Sequence, residues 1–256
     1  MKHAVISGIT ADIGTALAER LIADGWSVTG LGRKLERLGD IGAKLIDVSL
    51  DDSVQLADAC SKIEPWDLYI SCVGTMQPIG PFFSSNFDQW QNTIELNSLS
   101  QLRVLHLLWE NRKVKPDVMF LAGGGTNNPM SNYSAYCVSK IFLIKMMELL
   151  ADEELEANFF INGPGFVRTK IHEETLIAGE NAGSGLKKTQ DFLASDEGTS
   201  MDDIYQHMLW CMQHRSAATG RNFSTVHDSW REGSSLAERL VNNTDAFRLR
   251  RSIIEG

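Results

Sequence analysis

Tyr136 and Lys140 stand four positions apart in the run Tyr-Cys-Val-Ser-Lys. On a helix that spacing puts both side chains on one face. Free tyrosine titrates near ~10, too high for a base at neutral pH. A neighbouring cation favours the phenolate and lowers that value. A tyrosine and lysine at this spacing are common by chance. The pair gains weight from its place, at the opening of an apolar helical stretch from Ser134 to Glu154. A second group of residues could hold phosphate. Ser7-Gly8-Ile9-Thr10-Ala11-Asp12-Ile13-Gly14 joins the apolar run 3–7 to a stretch in which Ile13, Ala16, Leu17, Leu21 and Ile22 share one helical face. A turn from strand into helix leaves backbone N–H groups free at the helix start, and these attract anions. Gly8 permits the sharp turn and Gly14 a close approach of helix to sheet.

The elements that position these residues follow from hydrophobic spacing. Strands are expected at 3–7, Val28–Leu31, 43–48, Leu68–Cys72, Val118–Ala122, Asn158–Ile161 and Arg221–Val226. Helices are expected between them, at Ser53–Ile63, Phe87–Asn111, Ser134–Glu154 and Asp202–Gln213, with the first closed by Gly25. This alternation predicts a doubly wound α/β fold in one domain, 1–256, with a seven-stranded, mostly parallel sheet covered by helices on both faces. The stretch 170–200, rich in glycine and charge, is expected to be a mobile flap over a site. Helices 87–111 and 134–154 carry more apolar side chains than one sheet face needs. They predict a homodimer or homotetramer.

Composition narrows the partners. A formal net charge of -9 disfavours nucleic acid and anionic membranes. No apolar run is long enough to span a bilayer. Cys60, Cys72, Cys137 and Cys211 form no metal-binding spacing with one another or with histidine, and none is expected to hold a metal. They are expected to be small buried hydrophobes in a reduced, cytoplasmic protein, and Met1-Lys2-His3 leads straight into a strand without the pattern of a secretory leader. The second strand ends Leu31-Gly32-Arg33. A carboxylate there would bind a ribose 2′-hydroxyl; an arginine suits a 2′-phosphate, so NADP is expected in preference to NAD.

Taken in order, these segments resemble the short-chain dehydrogenase/reductase family in its single-domain type. The resemblance rests on Ser7-Gly8 through Gly14, Asp47-Val48, Ser71-Cys72-Val73-Gly74, Asn97, Tyr136 with Lys140, Pro164-Gly165-Phe166-Val167-Arg168-Thr169 and Thr219-Gly220-Arg221. It implies a Rossmann-type fold and an NADP-dependent oxidoreductase that interconverts a carbonyl and a secondary alcohol. The resemblance assigns proton transfer to Tyr136, ribose binding and phenolate stabilisation to Lys140, and the ordering of a relay water to Asn97. The cofactor would lie along Gly8, Thr10, Asp12, Ile13, Gly14, Arg33, Asp47, Val48, Cys72, Val73, Gly74, Asn97, Tyr136, Lys140, Pro164, Gly165, Val167 and Thr169. Val167 and Thr169 would meet its carboxamide end.

Two departures stand out. The family carries a serine upstream of the tyrosine; counting back to its position gives Gly123, and one further gives Ala122. Losing one such donor costs ~10²–10³ in rate. This keeps a second reading open, an NADP-binding homologue with weak or no catalysis, acting as a sensor or assembly subunit. Asp12 occupies the middle glycine position of the turn and is expected to cap the helix. The charged flap points to a small polar substrate, a sugar among the candidates. His172 is expected to be solvated rather than in contact with that substrate.

Overall fold

The computed structural model describes residues 1–251; the end of the expected domain, 252–256, lies outside the described residues. Seven parallel strands stand in the order β3-β2-β1-β4-β5-β6-β7. They are β1 (His3–Ser7), β2 (Ser27–Gly32), β3 (Lys44–Asp47), β4 (Trp66–Ser71), β5 (Arg112–Leu121), β6 (Asn158–Gly163) and β7 (Arg221–Ser224). Every paired neighbour is parallel, the doubly wound arrangement the sequence predicts. Successive side chains of a strand face opposite ways. Accordingly Ala4, Ile6, Leu68, Ile70, Met119 and Phe160 enter one core layer. Val5, Tyr69, Val118, Phe120, Phe159 and Ile161 enter the other.

Helices cover both layers. On one face α1 (Asp12–Ala23) buries Gly14, Leu17, Ala18 and Leu21, the stripe a sheet-packed helix needs. Helix α8 (Met201–Gln213), capped by the Ser200 hydroxyl, and the short α9 (Arg215–Ala218) lie on that face with α10 (Ser234–Val241). The other face carries α2 (Ser53–Ser61), capped by Asp52, α4 (Ser100–Leu108) and α5 (Ser134–Glu153). Among the described residues no helix is long and apolar enough to cross a membrane.

Three expectations change. The helix expected over 87–111 is α3 (Phe87–Ile94), capped by Asn86, then one π-helical stretch, Glu95–Leu99, then α4. Gln101 explains part of the widening: its amide donates to the Asn97 carbonyl at 2.6 Å and the Val73 carbonyl at 3.2 Å. Strand β5 starts at Arg112, well before Val118, because its first residue pairs with Trp66 before the register shifts. The stretch 170–200 is helical, with α6 (Ile171–Ala178) and α7 (Ser184–Ala194). Gly179 and Gly183, with φ +55° and +54°, divide the stretch into these short helices. An aromatic cluster of Phe166, His172 and Phe192, the first two stacked, ties its two helices to the segment after β6.

The close packing of β2 on the first turn gives a test. A Cβ on Gly30 would lie 2.2 Å from Cδ1 of the fully buried Ile9. Gly30→Ala is expected to destabilise the fold by ~1–3 kcal/mol, as overpacking does. Adding Ile9→Val, which removes that methyl, is expected to recover part of the loss in urea unfolding. Equal stability of Gly30→Ala and the parent would contradict this packing.

Candidate active site

At the carboxyl ends of the strands a cavity of about 1260 Å³ runs from the turn after β1 to the flap helices. The chain leaves β1 towards β2 on one side and β4 continues on the other, the crevice where open α/β sheets bind ligands. Gly8, at φ +71°, lies so close to β4 that a Cβ would stand 2.9 Å from Val73 Cγ2 and 3.0 Å from the Cys72 carbonyl carbon. Gly14 faces the turn from the helix, where a Cβ would meet the Gly8 oxygen at 2.5 Å. Ala11 is the N-cap of α1 and offers no side chain to the first N–H groups. An uncapped helix end on a glycine turn suits a phosphate, so these residues fit the pyrophosphate of a dinucleotide.

Asp12 does not cap α1. Its carboxylate reaches across the cavity and accepts the Lys170 backbone N–H at 2.8 Å. An aspartate already inside the first turn is poorly placed to bond that turn's own N–H groups, and Lys170 offers a free donor.

Most residues predicted for the cofactor come together. Gly8, Thr10, Asp12, Ile13, Arg33, Val48, Cys72, Val73, Gly74, Tyr136, Lys140, Pro164, Gly165, Val167 and Thr169 line this one cavity. Gly14 packs behind the turn, and Asp47 is exposed at the end of β3 while Asp51 lies on the wall. Asn97 is fully buried off the wall. Its amide donates to the Thr75 carbonyl at 2.8 Å and its oxygen accepts the Thr75 N–H at 2.9 Å. Asn97 thus fixes the loop after β4. It lies close to Lys140: a Cβ on Gly74 would be 3.6 Å from Lys140 Nζ and 3.9 Å from Asn97 Oδ1.

Tyr136 and Lys140 project from one face of α5, with Lys140 Nζ 5.9 Å from the centre of the phenol ring and 3.4 Å from the Val73 carbonyl, to which it donates. The phenol oxygen lies against Gly123. A Cβ there would be 2.1 Å from it. A serine at 123 and Tyr136 in this rotamer therefore exclude each other.

The family model for short chain dehydrogenases matches residues 2–178. The chain belongs to the short-chain dehydrogenase family. Among its relatives is serine 3-dehydrogenase of Agrobacterium fabrum, 27% identical over 80% of this chain and 86% of that one. Benzil reductase ((S)-benzoin forming) of Bacillus cereus is 21% identical over 80% of this chain and 90% of its own length. In fold the chain is similar to the KRED1-Pglu enzyme, with TM-score 0.77 and 20% identity over 87% of this chain and all of that one. It is also similar to BdcA in complex with NADPH, with TM-score 0.72 and 19% identity over 87% of this chain and 92% of that one.

Electrostatics distinguish this short-chain dehydrogenase from the expectation for its tyrosine. Burial raises the Tyr136 pKa, and Cys137 and Glu174 add to the rise. Lys140 donates to the Val73 carbonyl. Burial holds Lys140 down to about 8, opposed by Cys72, while Cys72 itself is pushed up to about 12 by burial. All four cysteines are free and buried, and among the described residues no His/Cys/Asp/Glu cluster is placed to hold a metal.

Several wall residues carry no motif. Lys34, in the left-handed conformation at φ +58°, stands beside Arg33 on the wall. Glu174 of α6 accepts from the Thr75 hydroxyl at 3.0 Å and from the Met76 N–H at 2.5 Å. The contact joins positions 99 and 98 residues apart, beyond any local spacing rule. His172, expected in solvent, is buried, bonds the Val167 carbonyl at 2.9 Å and has its pKa lowered by that burial.

The buried lysine makes stability depend on pH. Between about 8 and the ordinary lysine value of 10.5, the unfolded chain holds a proton on this group that the folded chain has lost. Stability from this group therefore rises with pH through that window and is lowest below it. In urea unfolding, the parent is expected to gain on Lys140→Met between pH 8 and 10, by up to ~3 kcal/mol. A difference that stays flat with pH would mean that Lys140 is hydrated.

Proposed function

We propose that this chain is an NADP-dependent oxidoreductase that interconverts a carbonyl and a secondary alcohol on a small polar substrate, with sugars among the candidates. The observation that carries the reading is the convergence of Tyr136 and Lys140 on the same cavity as the uncapped turn of α1. A bound nicotinamide dinucleotide supplies or accepts the hydride. The turn from Gly8 to Gly14 holds its pyrophosphate, and Arg33 with Lys34 meets the 2′-phosphate. Val167 and Thr169 flank the carboxamide end. Tyr136, on the wall of the cavity, donates its phenol proton to the carbonyl oxygen. The Lys140 ammonium offsets the negative charge that donation leaves on the phenolate, and Asn97 fixes the Thr75 loop nearby.

Two relatives support the reaction class. One is named as a dehydrogenase of serine and one as a reductase of benzil forming (S)-benzoin. The NADPH complex of BdcA, a fold neighbour, favours the phosphorylated cofactor. Exposed Val138, Phe142 and Leu149 on α5, with Leu99 before α4, favour a homodimer or homotetramer through these helices. Four buried free thiols favour the cytoplasm.

A second reading keeps cofactor binding and drops efficient turnover, for a sensor or assembly subunit. Gly123 favours it, since this position has no hydroxyl to hold a substrate oxygen.

Two measurements decide. In a fluorescence titration NADPH is expected to bind about ten-fold more tightly than NADH, and Arg33→Ala to remove most of the preference. Equal affinity in the parent would end the case for NADP. NADPH oxidation against a panel of polar ketones and aldehydes is expected to fall ~10²–10⁴-fold in Tyr136→Phe with cofactor affinity kept. Turnover unaffected by that substitution would remove Tyr136 as the acid, and no turnover in the parent on any member would favour the second reading.

A further inference from the structure

Asp12 is a carboxylate where the phosphate path begins, and its one hydrogen bond leads away from its own helix. It accepts the backbone N–H of Lys170 at 2.8 Å, across 158 positions of sequence. Lys170 is the N-cap of α6 and brings no side chain to that end of the helix. Among the described residues Asp12 forms no ion pair. On its other side α6 is tied to the loop after β4, through Glu174 to Thr75 and Met76. Asp12, Lys170 and Glu174 all line the same cavity. Helix α6 is thus held at its N-terminal end by the Asp12 carboxylate and at mid-length by its own Glu174 carboxylate.

We propose that Asp12 is a positioning residue that straps helix α6 to the phosphate turn and does so at the expense of cofactor affinity. The strap needs only an acceptor at this position. The charge is what opposes the cofactor, because a carboxylate at the start of α1 repels a phosphate bound there and offsets the helix field that attracts it. Acceptor and charge can therefore be separated. Asparagine keeps an oxygen for Lys170 and loses the charge; alanine loses both. Proline at 170 removes the donor and leaves Asp12 intact, and the φ of Lys170, -61°, is one that proline adopts. The cofactor part of this inference rests on the reading above, whereas the strap does not.

The test measures amide hydrogen exchange over Ile171–Ala178 without ligand, and NADPH affinity by fluorescence, in the parent, Asp12→Asn, Asp12→Ala and Lys170→Pro. Asp12→Ala and Lys170→Pro are each expected to speed exchange of α6 about ten-fold, the effect of losing one charge-assisted hydrogen bond. Asp12→Asn is expected to exchange within about three-fold of the parent, since a neutral acceptor keeps part of that bond. Both Asp12 variants are expected to bind NADPH about three-fold or more tightly than the parent, and Lys170→Pro is expected not to. Parent-like exchange in Asp12→Ala overturns the strap. Exchange in Asp12→Asn as fast as in Asp12→Ala overturns the role of the acceptor. NADPH affinity unchanged or weakened in Asp12→Asn overturns the cost to the cofactor. If NADPH binds to none of the four proteins, the cofactor reading fails, and with it the proposed cost, while the exchange rates still decide the strap.

Discussion

Where β1 and β4 end side by side, Gly8 crosses so close to the Cys72–Val73 peptide that no side chain fits between them. That approach places the turn, the start of α1 and the loop after β4 on one edge of the sheet. It depends on the strand order, because β1 is the strand at which the winding changes direction. The helix then begins with N–H groups that its own N-cap cannot satisfy. The same constraint that makes the turn tight therefore leaves it hungry for an anion.

A buried chain of hydrogen bonds carries that geometry to the other side of the cavity. The Ser7 hydroxyl donates to Ser71 at 3.1 Å, Ser71 donates to Gln101 at 2.6 Å, and the Gln101 amide donates to the Asn97 carbonyl at 2.6 Å. Each link is between groups shielded from water, where an unmade bond is costly. Gln101 reaches Asn97 and Val73 together beside the π turn at Glu95–Leu99. Asn97 in turn holds Thr75, the residue that receives Glu174. One polar network thus links the last residue of the first strand to the wall that faces the flap.

The parts of this arrangement that were legible in the sequence are those set by local spacing. The turn from Ser7 to Gly14 is contiguous, and Tyr136 with Lys140 is a helical repeat. The strands are short apolar runs with breaks between them, which is why their number and order of appearance were readable. What spacing could not carry is contact at long range. Nothing local joins Asp12 to Lys170 or Thr75 to Glu174. The helices of 170–200 escape the sequence pattern because they are short, are divided by glycines and gain stability from contacts among Phe166, His172 and Phe192 rather than from a long apolar stripe. The sequence suggests a cap at Asp12 because capping is the usual use of aspartate at a helix start.

Gly123 ties these observations to the chemistry. Without a side chain there, the Tyr136 phenol fills the space beside the backbone and sinks into the protein. Its surroundings then lack the solvation that a phenolate needs, so burial raises its pKa. The residue that the family places there supplies a second hydrogen bond to the substrate oxygen, and its loss weakens stabilisation of developing charge. A free phenol is already protonated at neutral pH, so the rise adds no proton to give and makes Tyr136 a weaker acid, while in the oxidative direction a phenolate must first form. Glycine at 123 therefore acts twice through one contact: it removes the serine's place and lets the phenol sink beside the backbone.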